Sequence, residues 1–331
     1  MRALVTGSAG FIGYHLAQAL LCEGVEVIGL DAHDPYYDPA LKAAREARLT
    51  GMPGFSTIRG RVEDPGLLAE VFASTRPDVV VHLAAQAGVR HSIDNPRAYL
   101  QSNIIGTFEL LEAARAHPPR HLLLASTSSA YGANREMPYR ETDRADHQMS
   151  FYAASKKSTE AMAHSYAHLF GLPVTLFRFF TVYGPWGRPD MAPYLFTSAI
   201  LKGQPIKVFN HGRMRRDFTY VTDLVRAIRL LMDAVPGDSP VGPEDSLSPV
   251  APHRVVNIGN GAPVELLDFI AAIEAATGRQ AIRELMPMQP GDVPATWADT
   301  TLLRNLTDYA PQTPVAEGVA RYVEWFRDYY G

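Results

Sequence analysis

The feature that most constrains the fold is the order of segments over residues 2–31, where a short apolar strand, a glycine-rich turn, a helix and a second strand follow one another. Residues 2–6 are predicted as the first strand, residues 11–22 as a helix with apolar side chains at helical spacing, and residues 25–30 as the second strand. Strands that are apolar on both faces and alternate with helices are typical of parallel sheets covered on both sides. The start of the chain therefore predicts an α/β fold.

The same alternation continues through the first 180 residues. Further strands are predicted at 55–59, 79–83, 121–126 and 174–180, and further helices at 41–49, 65–74, 97–116 and 151–169. This pattern predicts a doubly wound parallel sheet of the Rossmann type. Past residue 181 the loops become longer and richer in proline. We therefore expect one domain at 1–180 and a smaller domain at 181–331, from which segments near 217–235 and 255–260 return to the sheet.

The glycine-rich turn has the spacing G-x-x-G-x-x-G and predicts a dinucleotide site. Gly7 is expected to make the tight turn, Gly10 to let the backbone approach a pyrophosphate, and Gly13 to let the helix pack closely on the strand. Asp31 ends the second strand, 18 residues after Gly13. A carboxylate there accepts hydrogen bonds from a ribose 2′-hydroxyl and repels a 2′-phosphate, so the sequence predicts NAD as the cofactor rather than NADP.

A second candidate site combines a tyrosine and a lysine with a run of hydroxyl side chains. Tyr152 and Lys156 are four residues apart and share one face of a predicted helix. A nearby ammonium lowers the pKa of a tyrosine, which is ordinarily about 10, so the pair is suited to take a proton from a hydroxyl group. The run Ser126-Thr127-Ser128-Ser129 follows a predicted strand. Because α/β sheets bind ligands at their strand ends, this run can donate a hydrogen bond to the reacting oxygen.

Composition and charge exclude several other classes of protein. The formal net charge is −4, without the basic excess that indicates nucleic acid as a partner. Cys22 is the only cysteine, so no intrachain disulfide is expected. No apolar stretch reaches the roughly 20 residues of a membrane span, and the start of the chain has no signal-peptide pattern, so we expect a cytoplasmic protein with no membrane partner. The 11 histidines show no metal-ligand spacing, and no metal is expected.

Longer motifs are distributed along the chain. They are Asp-Pro-Tyr-Tyr-Asp at 34–38 with Leu41-Lys42, and the segments 82–90, 179–192, 216–220, 257–260 and 287–293. In these motifs, nearly the whole chain resembles the UDP-glucuronate 4-epimerases of the extended short-chain dehydrogenase/reductase superfamily. The run Phe-Phe-Thr-Val-Tyr-Gly-Pro-Trp-Gly-Arg-Pro-Asp-Met-Ala at 179–192 is very specific, whereas the tyrosine and lysine pair identifies only the superfamily.

The resemblance implies a role for individual residues. Thr127, Tyr152 and Lys156 match the catalytic hydroxyl, the base and its lysine. In addition to the turn glycines, Asp31, Tyr152 and Lys156, the positions that match the NAD site are Phe11, Ile12, Val62, Leu83, Ala84, Ala85, Gln86, Asn103 and Ser126. The positions that match the substrate site are Arg90, Thr127, Ser128, Ser129, Thr181, Arg188, Arg216, Gln289 and Asp292. Arg216 is assigned to the diphosphate and Asp292 to the uridine ribose. The chain departs from the family at Arg61, where many relatives have an aspartate that contacts adenine.

The activity implied is epimerisation of UDP-glucuronate at C4 through a transient 4-keto sugar. Tyr152 would take the hydroxyl proton while the hydride passes to NAD, and the C6 carboxylate would be retained. Three alternatives remain open, namely a C4 epimerase of UDP-glucose and UDP-galactose, a UDP-glucuronate decarboxylase, and a non-catalytic NAD-sensing scaffold. Related 4,6-dehydratases have an Asp-Glu pair where this chain has Ser128-Ser129, and related decarboxylases have glutamate at the position of Ser129.

The superfamily also implies a homodimer. In that arrangement the predicted helices 97–116 and 151–169 would pair across a two-fold axis.

Overall fold

The computed structural model describes residues 1–289 and 293–331 of the chain. Within those ranges, strands β1–β13 lie at Arg2–Thr6, Glu26–Asp31, Phe55–Arg59, Val79–His82, His121–Thr127, Val174–Phe179, Thr181–Tyr183, Pro205–Val208, Arg215–Tyr220, His253–Ile258, Pro263–Glu265, Ile282–Leu285 and Ala295–Thr296. Helices α1–α12 lie at Phe11–Cys22, Pro39–Thr50, Leu67–Thr75, His91–Asp94, Pro96–Tyr99, Gly106–Ala116, Phe151–Phe170, Ala192–Leu201, Val221–Leu231, Leu266–Thr277, Thr301–Thr307 and Val315–Tyr330. A π-helical segment occupies Leu100–Ile105, and 3₁₀ turns occupy Ser128–Tyr131 and Phe209–Gly212.

The larger layer of the fold is a seven-stranded sheet in the order β10-β6-β5-β4-β1-β2-β3. Its neighbouring strands are parallel, and Val5 of β1 pairs with Gly29 on one side and Val81 on the other. The strands are apolar on both faces because helices cover both: Val5 lies in one core, and Leu4 lies in the other. The doubly wound parallel sheet predicted from the sequence is confirmed.

The strand order creates a crevice at the carboxyl ends of two central strands of this sheet, β1 and β4. The chain moves outward from β1 to β2 and β3, and then crosses to β4 on the other side of β1. Connections that leave β1 and β4 on opposite sides create an opening at the carboxyl ends of these two strands. The glycine-rich turn follows β1 and the segment 83–86 follows β4, so both lie at this opening.

A smaller unit covers the crevice. It contains β9, flanked by β11 and β13 and also paired with β7, and a separate parallel pair of β8 and β12. Its core includes Phe218, Phe269 and Tyr322, and the first two of these rings stack at 4.0 Å between centroids. Two segments then return to the large sheet: α9 buries Leu224 in the core beneath it, and β10 pairs with β6.

The predicted helix at 97–116 is helical throughout but is not one α-helix. The π-helical segment separates α5 from α6 and contains Asn103. The Asn103 side chain accepts a hydrogen bond from the Gln86 N–H at 2.8 Å and donates to the Gln86 carbonyl at 3.0 Å and to Ser155 Oγ at 2.9 Å. Such π-helical turns are common at functional sites. In the described parts of the chain, no helix is long and apolar enough to cross a membrane.

Candidate active site

The turn after β1 has the shape of an anion site. Gly7 adopts φ +73°, and a Cβ there would lie 2.8 Å from the Ala84 nitrogen. A Cβ on Gly13 would lie 2.0 Å from the Gly7 carbonyl oxygen, so the close approach of turn and helix requires glycine. Helix α1 begins at Phe11 with Gly10 as its N-cap and has no side-chain cap. The first N–H groups of the helix are therefore suited to hold a diphosphate.

Asp31 connects this turn to the end of β2. Its Oδ2 accepts a hydrogen bond from the Ala9 N–H at 3.0 Å, and its Oδ1 accepts one from the His33 N–H at 2.8 Å. The side chain lines the cavity described below although the residue is only 7% exposed. A carboxylate has about four acceptor positions, so about two remain for the hydroxyls of a ribose.

One large cavity joins the two candidate sites found in the sequence. Its volume is about 1160 Å³, which is above the roughly 300–1,000 Å³ typical of a site for one drug-sized ligand. The predicted site residues that line it are Gly7, Gly10, Phe11, Ile12, Gly13, Asp31, Val62, Leu83, Ala84, Ala85, Gln86, Arg90, Ser126, Thr127, Ser128, Ser129, Tyr152, Lys156, Thr181, Arg188 and Gln289. The residues expected to bind NAD and those expected to bind substrate therefore share one space.

Helix α7 presents the tyrosine and lysine to this cavity. The helix is capped by Ser150, whose side chain accepts a hydrogen bond from the Ala153 N–H, and it places Lys156 one turn after Tyr152. Lys156 Nζ donates to the carbonyl of Ala125, two residues before the end of β5, at 2.8 Å. This contact anchors the ammonium against the sheet.

Burial shifts the pKa values of both groups. It lowers the pKa of Lys156 to about 8, while the Glu160 carboxylate acts in the opposite direction. It raises the pKa of the Tyr152 phenol, while a hydrogen bond with Thr127 and the charge of Arg188 act to lower it. In the protein alone, burial outweighs the contributions of Thr127 and Arg188, so the pKa of Tyr152 is raised.

A buried ion pair supports the floor of the site. Arg178 binds Glu160 through two hydrogen bonds of 2.9 and 2.8 Å, and Ser126 Oγ donates to the same carboxylate at 2.6 Å. Burial favours protonation of Glu160, but its contacts with Arg178 outweigh this effect and lower its pKa to about 2. Ser126 thus lines the cavity and also ties β5 to α7.

A wall of hydroxyl groups faces the tyrosine. Thr127 ends β5, and its Oγ1 accepts a hydrogen bond from the Ser129 N–H at 3.2 Å, which begins the 3₁₀ turn. Ser128, Ser129 and Thr181 line the same cavity. Because the Ser128 and Ser129 side chains line the cavity, their hydroxyls are accessible to a ligand.

Two predicted arginines line the cavity near Tyr36 and Phe209. Arg188 Nε donates to Asp190 Oδ1 at 3.0 Å, and the Tyr36 hydroxyl donates to Asp190 Oδ2 at 3.0 Å. The Arg90 guanidinium lies 5.3 Å from the centroid of the Phe209 ring. Both arginines provide planar donors suited to phosphate or carboxylate oxygens.

Two predicted residues, Asn103 and Arg216, do not line this cavity. Asn103 is buried behind the segment 83–86. Its side chain positions that segment through Gln86, instead of facing a ligand. Arg216 lies on β9, and its guanidinium donates to the Arg215 and Val293 carbonyls at 2.9 and 2.7 Å. Asp292 lies outside the described residues. The structure therefore does not bring the side chains of Asn103 and Arg216 into the cavity.

The cavity also contains residues for which the sequence suggested no role. Tyr36 and Lys42 line it from the segment that begins at 34, and Asp190 and Phe209 line it from the smaller unit. The first two belong to a motif noted in the sequence, but no local pattern marked Phe209. Arg61 lines the cavity in place of the aspartate of many relatives and pairs with Asp34 and Glu63. The described residues contain no cluster of side chains suited to hold a metal ion.

Known proteins resemble this chain in sequence and in structure. Residues 3–259 match the NAD dependent epimerase/dehydratase family. The whole chain aligns at 53% identity with 98% of the probable UDP-glucuronate 4-epimerase of Rhizobium meliloti (strain 1021). The fold is similar to that of UDP-glucuronic acid 4-epimerase from Bacillus cereus in complex with UDP-glucuronic acid and NAD, with a TM-score of 0.89, 32% identity and 100% of both chains covered.

A second solved structure is almost as similar. UDP-glucose 4-epimerase from Thermotoga maritima, solved with UDP-glucose, matches with a TM-score of 0.87 and 30% identity, and 100% of each chain is covered. The fold, the glycine-rich turn and the tyrosine and lysine on α7 agree with these matches. The chain therefore belongs to the NAD dependent epimerase/dehydratase family.

Proposed function

We propose that the chain catalyses the NAD-dependent epimerisation of UDP-glucuronate at C4, which yields UDP-galacturonate. The observation that carries this proposal is the convergence of the glycine-rich turn, the Tyr152 and Lys156 pair, and the hydroxyl wall of Thr127, Ser128 and Ser129 on one cavity. The 53% identity to a probable UDP-glucuronate 4-epimerase supports the choice of sugar.

The cofactor would occupy the opening between β1 and β4. The turn glycines would hold its diphosphate, Asp31 a ribose, and Val62 the adenine, next to the 83–86 wall. The close backbone approach that only glycine permits at Gly7 and Gly13 fits such a ligand. When bound, NAD supplies the acceptor and donor of a hydride and a positive nicotinamide ring that favours a nearby phenolate.

The side chains at the reacting carbon handle the proton. Tyr152 takes the proton of the C4 hydroxyl as the C4–H bond breaks, and returns it when the sugar is reduced from its other face. Thr127 contributes a hydrogen bond to the same oxygen. Lys156, fixed on the Ala125 carbonyl, stabilises the phenolate by its charge. The 4-keto sugar turns within the cavity between the two half-reactions.

The hydroxyl wall protects the carboxylate of the intermediate. A 4-keto hexuronate is a β-keto acid, and it loses carbon dioxide when the C5–C6 bond aligns with the carbonyl π system. The Ser128 and Ser129 hydroxyls, with Thr181, provide donors that can hold the carboxylate out of that alignment. Because neither serine is replaced by a carboxylate, the wall attracts a uronate instead of repelling it.

The remaining predicted substrate residues are assigned to the nucleotide and diphosphate parts of the substrate. Arg188 and Arg90 would bind the diphosphate and the sugar end of the substrate, and Gln289 lines the cavity at the nucleotide end. The assignments of Arg216 to the diphosphate and of Asp292 to the uridine ribose remain predictions from the resemblance.

The proposal includes a homodimer. The surface of the π-helical segment and α6 exposes Leu100 (38%), Ile105 (39%) and Phe108 (45%), and the end of α7 exposes Leu169 (65%) and Phe170 (42%). A second copy that covers these side chains would remove their apolar surface from water. Sedimentation at several concentrations tests this part of the proposal, and a monomer at all of them would contradict it.

Incubation with UDP-glucuronate, followed by NMR of the products, tests the activity. The expected product is UDP-galacturonate, formed with no net consumption of NAD. UDP-glucose turned over with equal or higher kcat/KM would instead favour the neutral-sugar epimerase. A UDP-pentose with release of carbon dioxide would identify a decarboxylase, and no turnover of any sugar would favour the NAD-sensing scaffold.

A further inference from the structure

A buried arginine outside the predicted site connects its two halves. Arg45 lies on α2 and is 0% exposed. Its Nη1 donates to the Ala9 carbonyl in the glycine-rich turn at 3.0 Å and to the Tyr37 hydroxyl at 2.9 Å. Its Nη2 donates to the carbonyls of Trp186 and Gly187, at 2.5 and 3.4 Å. One guanidinium thus holds a segment expected to bind NAD and a segment expected to bind substrate.

A histidine binds the neighbouring carbonyl of the same segment. His15 Nε2 lies 2.8 Å from the Pro185 carbonyl oxygen. Burial lowers the pKa of His15 to about 4, so the ring is neutral, and because a carbonyl only accepts, Nε2 carries the hydrogen. Three successive carbonyls, at 185, 186 and 187, are therefore held by side chains of α1 and α2.

The backbone at Trp186 has a conformation that these hydrogen bonds stabilise. Trp186 adopts φ +60°, in the left-handed region that a side chain of this size rarely occupies. A conformation of this kind persists where the surrounding structure determines it strongly, and such positions cluster at functional sites. Arg188 follows two residues later and enters the cavity, where it pairs with Asp190. The path of the chain through 186 therefore sets where the Arg188 side chain begins.

We propose that Arg45 is a positioning residue that fixes Arg188 relative to the glycine-rich turn, and so holds it where it can bind the diphosphate of the substrate. The inference rests on the proposed function, in which Arg188 binds the nucleotide sugar. A guanidinium suits this role because its rigid fork bonds two chain segments at once. The hydrogen bonds described for Arg45 all go to neutral oxygens of the segments that it joins.

The test compares Arg45→Met and Arg45→Lys with Arg48→Met as a matched control. Arg48 lies one turn later on α2 and contacts the Tyr14 hydroxyl and the face of the Trp186 ring, but in the described residues it binds none of the three carbonyls. Loss of uniform binding raises KM and leaves kcat nearly unchanged, so Arg45→Met is expected to raise KM for UDP-glucuronate roughly tenfold or more, with kcat within about threefold. Arg48→Met is expected to stay within about twofold of wild type in both.

A double-mutant cycle with Arg188→Ala separates positioning from general destabilisation. If Arg45 acts through Arg188, adding Arg45→Met to Arg188→Ala is expected to change KM by less than about twofold, because residues of one unit are not additive. A full second increase of KM would overturn the inference, and so would an Arg45→Met variant that matches Arg48→Met.

Two further measurements keep the outcome decisive. Should Arg45→Met not fold, Arg45→Lys decides: its single ammonium cannot reach both segments, so KM is expected to rise roughly three- to tenfold at a melting temperature near that of wild type. Calorimetric titration with UDP repeats the cycle without turnover. No turnover of UDP-glucuronate by the wild type would contradict the proposed function, whereas UDP affinity that is equal in wild type and Arg45→Lys would overturn the role of Arg45 alone.

Discussion

Replacement of Asp31 by asparagine tests how one carboxylate serves both the glycine-rich turn and the cofactor. Asp31 already accepts the Ala9 and His33 N–H groups through its two oxygens, at 3.0 and 2.8 Å. Asparagine has only one acceptor oxygen, so one of these N–H groups would face an NH₂ group instead. The change keeps the shape of the side chain while it removes the charge and one acceptor.

The size of the effect follows from these contacts. A hydrogen bond to a charged acceptor contributes about 1.5–3 kcal/mol, so the free energy of unfolding is expected to fall by that amount. A bound ribose loses a charged acceptor as well, so the binding free energy of NAD is expected to weaken by the same amount. Because about 1.4 kcal/mol corresponds to a tenfold change in Kd, the Kd for NAD is expected to rise roughly 10- to 150-fold. The affinity for NADP is expected to increase relative to the affinity for NAD, because the repulsion between the carboxylate and the 2′-phosphate of NADP disappears.

Binding of both cofactors to stripped protein, measured by calorimetry well below the melting temperature, checks this prediction. Asp38→Asn is the matched control: Asp38 accepts the Ala40 N–H at 2.9 Å as the N-cap of α2 and is exposed outside the cavity. Asparagine caps a helix as well as aspartate does, so neither stability nor affinity is expected to change. NAD affinity of Asp31→Asn within about twofold of wild type would refute the ribose contact, and tighter binding of NADP by the wild type would refute the preference for NAD.

Three further predictions concern the catalytic side chains. Tyr152→Phe keeps the ring but removes the acid/base group, so kcat is expected to fall by a factor of about 10²–10⁴ with UDP binding nearly unchanged; activity within a few-fold of wild type would assign the base elsewhere. Ser128→Ala and Ser129→Ala each remove a hydrogen bond worth about 1.5–3 kcal/mol to a carboxylate, so more carbon dioxide is expected per epimerisation event. An unchanged ratio of products by NMR would exclude the two serines from this protection. Burial lowers the pKa of Lys156 to about 8, so the Tyr152 and Lys156 pair has lost its first proton above a pH of about 8 or lower. That one-proton state contains the phenolate with the ammonium, so kcat/KM is expected to fall only below this pH. A pH–rate profile that rises only near pH 10, the ordinary pKa of tyrosine, would contradict this.

The sheet was predictable from sequence because its strands are buried on both faces and are separated by helices. That pattern is local, and it located β1 and β2 within one residue at each end. The π-helical turn at 100–105 was not predictable in this way. It places Asn103 in contact with Gln86 and Ser155, which are 17 and 52 residues away in the chain, and a periodicity cannot reveal such contacts.

The site was predictable to the extent that short motifs carry its chemistry. The glycine spacing, Asp31, and the tyrosine and lysine pair each have a physical reason for their positions, and all of them line the cavity. Arg45 had no such signal, since three of its four acceptors are backbone oxygens 36, 141 and 142 residues away, which any sequence provides. Arg216 illustrates the opposite case, because a motif match alone assigned it to the diphosphate and the structure does not bring it into the cavity.

In the reactive state, Tyr152 and Lys156 share one proton between them. Burial raises the pKa of Tyr152 and lowers that of Lys156, so it moves both groups toward their neutral forms. Once one proton has left the pair, phenol with amine and phenolate with ammonium contain the same number of protons, and pH cannot choose between them. The choice belongs to fixed neighbours: Glu160 favours the ammonium, while the Thr127 hydrogen bond and the charge of Arg188 favour the phenolate. A positively charged nicotinamide acts in the same direction as Arg188. The population of reactive phenolate is therefore set by where these charges are held, which makes the positions of Glu160 and Arg188 part of the acid/base chemistry.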